Sequence, residues 1–230
     1  MTRHSTWTWC IVAALTGCAL GATPKPEGAA KPANPAPAKA AAANKNVIPL
    51  FDGKTLKDWK SSDFGGEGPV KVEDGQIVVG AGSTLSGVTW TGAPLPNVNY
   101  EIELDAKKIS GSDFFLALTF PYKKAHATLV LGGWGGSLVG LSSINGNDAA
   151  NNETMSTRDF PRDKWVHVRL RVTPDRIQAW LDNDLENPIL DLETEHKEID
   201  TRADIDAAKP LGLSSFQTSA AYKNIKLKKL

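Results

Sequence analysis

Between residues 100 and 182, apolar and polar side chains repeatedly alternate one by one. Tyr100, Ile102, Leu104 and Ala106 alternate with Glu101, Glu103 and Asp105. Val166, Val168, Leu170 and Val172 alternate with Trp165, His167, Arg169 and Arg171, and Ile177, Ala179 and Leu181 with Arg176, Gln178, Trp180 and Asp182. A period of two places one set of side chains on each face, so each stretch predicts a half-buried β-strand. Further strands are expected over 69–73, 76–80, 84–91, 113–120, 126–132, 137–143, 211–217 and 221–228, with Asp74-Gly75 as a hairpin turn between the first two. The only helix-like stretch is 202–208. Many short strands separated by Gly, Pro and Asn turns predict an all-β fold, an antiparallel two-sheet sandwich or jelly roll.

One hairpin can be taken to its register. Thr173-Pro174-Asp175-Arg176 suits a type I turn, with Pro where its fixed φ helps. Matching the apolar faces sets Val172 opposite Ile177, Leu170 opposite Ala179 and Val168 opposite Leu181. The other face then pairs Arg171 with Gln178, Arg169 with Trp180, and His167 with Asp182. An exposed Arg over a Trp ring contributes about 0.5–1 kcal/mol. This polar, aromatic and planar face suits a sugar, and Arg169, Arg171, Gln178 and Trp180 are candidate substrate-binding residues; an ordinary solvated face would look the same.

The amino terminus departs from this pattern. Arg3 precedes an apolar run from Trp9 to Leu15 and then small residues, the layout of a secretory signal. Leu15-Thr16-Gly17-Cys18 resembles the bacterial lipobox, which makes 1–18 a lipoprotein signal peptide and Cys18 the lipidated residue; the alternative is an ordinary signal cut after Gly21. Several acyl chains would hold the protein on a membrane, and Ala19 after the Cys resembles sorting to the outer membrane, with the domain on its periplasmic or surface face. Residues 19–46 hold five Pro, eleven Ala and four Lys, too few large apolar groups for a core, and read as an extended linker. With Cys10 in the signal and Cys18 acylated, cysteine catalysis and cysteine-ligated zinc drop out.

The chain has 230 residues, 26 basic and 26 acidic. This balance argues against a nucleic-acid partner, and no stretch reaches the roughly 20 apolar residues of a membrane-spanning helix. Residues 47–230 are long enough to bury roughly 70% of their unfolded surface in one core.

At 50–59, LFDGKTLKDW resembles the opening motif L-F-[ND]-G-x-x-L-x-x-W of the 3-keto-disaccharide hydrolase domain family. In the family's order follow VEDGQI at 72–77, YEIEL at 100–104, SGSDFFLAL at 110–118, Lys164-Trp165, LDND at 181–184, KPLGLSSFQT at 209–218 and YKNIKLKKL at 222–230. The resemblance covers 47–230. It implies a concanavalin-like jelly roll of the lectin and glucanase type, a carbohydrate ligand, and hydrolysis of the glycosidic bond of a sugar oxidised at C3. A ketone there acidifies the C2 proton and permits elimination of the anomeric substituent, which needs a general base and donors or a metal for the enolate. It also implies that Trp59, Trp90 and Trp165 are packing anchors. The chain departs from the family where most members carry a strand like E-[VI]-Q-[IL]-x-D: here HATLVLGGWGG, 126–136, holds no carboxylate, and His126 or Thr128 stands nearest the missing Glu.

The candidate catalytic residues are Asp113, His126 and Glu153. Trp134, among four glycines, is a candidate stacking platform for a pyranose ring, or the Trp of a Gly-rich turn. Asn145 and Asn152 are candidate sugar contacts. They belong to an oxygen-rich segment, 145–153, that could take Ca²⁺ but lacks EF-hand spacing. No other metal or cofactor is indicated: the His residues lack zinc spacing, and no G-x-S-x-G elbow occurs. Three functions remain open: a hydrolase, a carbohydrate-binding module without catalysis, and a structural lipoprotein.

Overall fold

The computed structural model describes residues 46–230. The expected signal segment, Cys18 and the linker up to residue 45 lie outside the described residues. Fifteen strands are described: β1 (Val47–Pro49), β2 (Trp59–Ser61), β3 (Val70–Glu73), β4 (Gln76–Val79), β5 (Leu85–Trp90), β6 (Tyr100–Ser110), β7 (Leu116–Tyr122), β8 (Ala125–Gly132), β9 (Leu138–Ser142), β10 (Ser156–Thr157), β11 (Trp165–Val172), β12 (Arg176–Leu181), β13 (Leu190–Glu193), β14 (Gly212–Phe216) and β15 (Ser219–Lys229). They form two antiparallel sheets. The first runs β13-β12-β11-β6-β15-β4-β3, with β1 also paired to β15; the second runs β10-β9-β8-β7-β14-β5-β2. The fold is the expected antiparallel jelly roll.

Alternation decides which side chains enter the core. From the first sheet come Ile102 and Leu104 of β6, Val168 and Leu170 of β11 and Leu227 of β15; from the second come Leu118 and Phe120 of β7 and Leu129 and Leu131 of β8, all fully buried. Each such side chain contributes about 1.5–3 kcal/mol on leaving water. Two buried tyrosines bridge the layers: Tyr222 donates its hydroxyl to Phe115 O at 2.7 Å and Tyr100 to Pro121 O at 2.5 Å. A core tyrosine thereby keeps its polar tip satisfied.

The hairpin register is as read from the sequence: Val172 faces Ile177, Arg171 faces Gln178, Leu170 faces Ala179, Arg169 faces Trp180 and Val168 faces Leu181. Asp74 and Gly75 both take positive φ, 50° and 76°, in the turn joining β3 to β4, as a two-residue hairpin of matching twist requires. The helix-like stretch forms a 3₁₀ helix, Ala203–Ala208, rather than an α-helix.

Trp59 and Trp90 are packing anchors, edge to face at 5.4 Å, with their indole N–H groups donated to Leu50 O and Ala93 O. Trp165 is not. Its place in the alternation puts it on the outer face of the first sheet, under the ammonium groups of Lys107 and Lys223 at 4.8 and 4.1 Å from its ring centre.

Candidate functional site

The second sheet does not present a bare outer face. Along β7, Leu116, Leu118 and Phe120 turn to the core while Ala117 faces outward, where Ile205 and Ala208 of the 3₁₀ helix pack on it and on Leu85. Beside this cover lies a cavity of about 200 Å³. Its walls are Leu85, Phe114, Ala117, Val130, Ile205 and Phe216, and its polar groups are Asp113, Thr128, Trp134, Ser142, Arg202 and Asp204. Mostly apolar walls with a few convergent polar groups are the usual form of a small-molecule site.

The segment joining β8 to β9 displays the indole. Gly132, Trp134, Gly135 and Gly136 all have positive φ, from 47° to 108°, which reverses the chain and leaves Trp134 45% exposed. Glycine is required at 136, where a Cβ would also lie 3.1 Å from Ser112 O. Asp113 fixes this turn to the start of β7: its Oδ1 accepts the backbone N–H of Phe114 at 2.7 Å and of Trp134 at 3.2 Å. Among the described residues nothing bonds Asp113 Oδ2, so in this cavity-lining residue one carboxylate oxygen is held and the other is free. Across the cavity, Arg202 grips Asp204 through Nε and Nη2 at 3.2 and 2.9 Å.

The three residues read as catalytic lie in three places. Asp113 lines the cavity. His126 is on β8 two residues before Thr128 and lines a different hollow, with Trp90, Lys123 and Pro210. Burial, and then the Lys209 ammonium, push its imidazole below the ordinary value, which favours the neutral ring. Glu153 is exposed and ion-paired to Lys197.

The asparagines act within their own loop. Asn152 donates Nδ2 to the carbonyls of Leu141, Asn147 and Asp148 and accepts from Thr154 N and Oγ1 at Oδ1. It has no capacity left for a sugar, which corrects its reading as a ligand contact. Asn145 Oδ1 accepts the N–H of Glu198 at 2.9 Å. The segment does not fit calcium either, because Asp148 Oδ1 already accepts from Ala150 N and Asn151 Nδ2 and Glu153 is held by Lys197.

Arg169, Arg171, Gln178 and Trp180 belong to the outer face of the first sheet, across the core from the cavity, so they share no ligand with Trp134. Apart from the Trp180 indole N–H, their polar groups are engaged. Glu101, with a side chain only 1% exposed, takes Arg169 and Arg171 on Oε1 at 2.5 and 2.7 Å and Lys228 on Oε2 at 3.3 Å. Arg169 and Arg171 lie 4.9 and 5.6 Å from the Trp180 ring centre, the indole itself is buried, and Gln178 reaches Asp191. The Glu101 carboxyl is raised by burial, but the two guanidinium hydrogen bonds outweigh this and hold it below its ordinary value. The sugar platform read from this face is therefore an ion-pair network. On the same face the His167 ring bonds Asp105 at 2.7 Å, while Asp182 takes the His167 backbone N–H and the Arg158 side chain.

Thr128, one of the two residues nearest the missing Glu, lines the cavity, whereas Phe114, Phe216, Ser142, Arg202 and Asp204 were not singled out by the sequence. The aromatics looked like strand residues, and the Arg202-Ala203-Asp204 run looked like part of a helix.

Among solved structures, the chain is similar to the Crh5 transglycosylase in complex with NAG, at 11% identity and TM-score 0.55 over 80% of this chain and 83% of that one. It is similar to the VIP36 exoplasmic/lumenal domain bound to Ca²⁺ and Man3GlcNAc, at 12% identity and TM-score 0.52 over 80% and 88%. A third likeness is to laminarinase from Flavobacterium sp. UMI-01, at 15% identity and TM-score 0.50 over 78% and 97%. At these identities the likeness shows a shared fold, the jelly roll of glycosyl hydrolase-like and carbohydrate-binding proteins. No curated protein matches the sequence. The model of the 3-keto-alpha-glucoside-1,2-lyase-like domain matches residues 46–228, and with the jelly roll and the order of motifs along the chain this places the protein in that family.

Proposed function

We propose that the cavity on the second sheet binds a glucoside oxidised at C3 and that the domain cleaves its glycosidic bond by elimination. The observation carrying this reading is the geometry of Asp113, whose Oδ1 is anchored by two backbone amides while Oδ2 is free beside the exposed Trp134. In this reading the sugar stacks on the indole and Asp113 Oδ2 takes the C2 proton, as a positioned carboxylate base can. The electron pair moves into the C2–C3 bond and the C3 oxygen becomes an enolate, with the Arg202 guanidinium as the nearby positive charge. As the ketone re-forms, a double bond forms between C1 and C2, the C1–O bond breaks, and the leaving oxygen takes the proton from Asp113. Water then adds across C1 and C2 to give the free 3-keto sugar.

A second reading, a carbohydrate-binding module, is favoured by β8. Its cavity-facing residues are Thr128 and Val130, neither of them an acid. Incubating the full chain with 3-keto-glucosides and their unoxidised parents separates the two. Release of the aglycone from the keto sugars alone supports the elimination; saturable binding with no product means the module. In either case we propose an exported protein anchored through Cys18 to the outer membrane. Cys18→Ser should then move it from the membrane to the soluble fraction, and persistent membrane association of that variant would remove the proposal.

A further inference from the structure

Ser142 closes β9 on the outer face of the second sheet, directly across from Thr128 of β8. Both line the cavity. The Thr128 hydroxyl is bonded to that of Thr119 at 3.0 Å. The Ser142 hydroxyl is buried and has no hydrogen-bond partner among the described residues. Four other side-chain atoms among the described residues share that condition, Glu67 Oε2, Gln76 Oε1, Trp180 Nε1 and Ser214 Oγ, and none of them belongs to the cavity.

A buried hydroxyl without a partner is a cost to the free protein, and alanine would fill nearly the same space without it. A buried, unpartnered hydroxyl in the lining of a cavity raises the question of what it bonds. We infer that Ser142 is a specificity-determining contact for the ligand, bonding a neutral oxygen of a sugar, hydroxyl or oxo, that reaches the cavity wall where Ser142 stands opposite Thr128. A serine hydroxyl can donate one bond and accept two, which suits either group. Thr128 across from it is already held by Thr119, so Ser142 is the unspent hydroxyl of this rung of the cavity wall. Ligand binding would remove the penalty that the free protein carries, and a sugar lacking that oxygen would restore it.

The inference rests on the reading of the cavity as a sugar site, and its test keeps the two apart. Affinity of the full chain for 3-keto-glucosides and parent glucosides is measured by calorimetry for wild type, Ser142→Ala and Ser214→Ala, alongside the thermal midpoint of each free protein. Ser142→Ala should raise Kd by about tenfold, equivalent to about 1.4 kcal/mol, with a midpoint unchanged or higher. Ser214→Ala, which removes an equally orphaned hydroxyl outside the cavity, should leave Kd as it was. An unchanged Kd in Ser142→Ala would overturn the inference while leaving the sugar site standing. So would a midpoint several degrees lower, because the hydroxyl would then be serving the free protein. A wild type that binds none of the sugars would overturn both readings.

Discussion

The backbone N–H of Trp134 is donated to Asp113 Oδ1 at 3.2 Å, so the acid and the exposed indole of the cavity are positioned by one bond between two segments 21 residues apart. Removing the acid and removing its charge should therefore have different effects. Asp113→Asn keeps an oxygen that can accept both amides and should bind sugar normally while turnover of a 3-keto-glucoside falls by about 10²–10⁴-fold, the usual contribution of a general base. Asp113→Ala also frees the 132–136 turn and should lose affinity as well. Equal turnover in Asp113→Asn and wild type would remove Asp113 as the base.

Trp134→Ala removes the exposed platform without opening the core, since the side chain packs on none of the buried clusters. Sugar affinity should fall by about tenfold and the far-ultraviolet dichroism should stay unchanged. A variant that binds as tightly as wild type would mean that the ligand sits elsewhere.

Arg169→Ala should leave sugar affinity alone and lower stability, because Arg169 is on the sheet opposite the cavity and serves the buried Glu101 carboxylate. Charge-assisted bonds of this kind contribute about 1.5–3 kcal/mol each. Urea unfolding and calorimetric binding on the same preparation decide the matter, and a loss of affinity with unchanged stability would contradict the placement.

Glu101 should also give the first sheet an acid-sensitive term. Its folded pKa lies below the ordinary 4.5, so its contribution is complete above pH 4.5 and is lost as pH falls through the lowered folded value. Glu101→Gln cannot titrate. The stability gap between wild type and Glu101→Gln should accordingly be widest near neutral pH and narrow toward pH 3, and a gap independent of pH would show that the ionised carboxylate is not what matters.

The parts of this protein that could be read from the chain are those specified by neighbours in sequence. The β11–β12 register follows from a Pro174 turn and two apolar rows, and the β3–β4 hairpin from Asp74-Gly75. Family motifs extended this to the jelly roll and the family itself. The cavity was less legible because its walls come from residues 85, 113–117, 128–134, 142, 202–205 and 216, assembled by the order β9-β8-β7-β14-β5, for which no local pattern exists. Alternation separates the two faces of a strand but does not say which outer face will be covered. Arg169 and Trp180 were paired correctly and yet assigned to a ligand, because Glu101, the carboxylate that occupies Arg169, arrives from β6, 68 positions earlier in the chain.

The closure of the first sheet by β1 against β15 has a mechanical meaning. The two strands are antiparallel, with Asn46 O accepting the N–H of Lys229 and Val47 opposite Lys228. A force applied between residues 46 and 230 would therefore act at adjoining ends. Ladder bonds perpendicular to the strands would be loaded one after another, Val47 first, then Ile48, then Pro49, rather than together in shear. Stretched from these ends, the domain should unzip at low force, beginning at a seam on the sheet opposite the cavity.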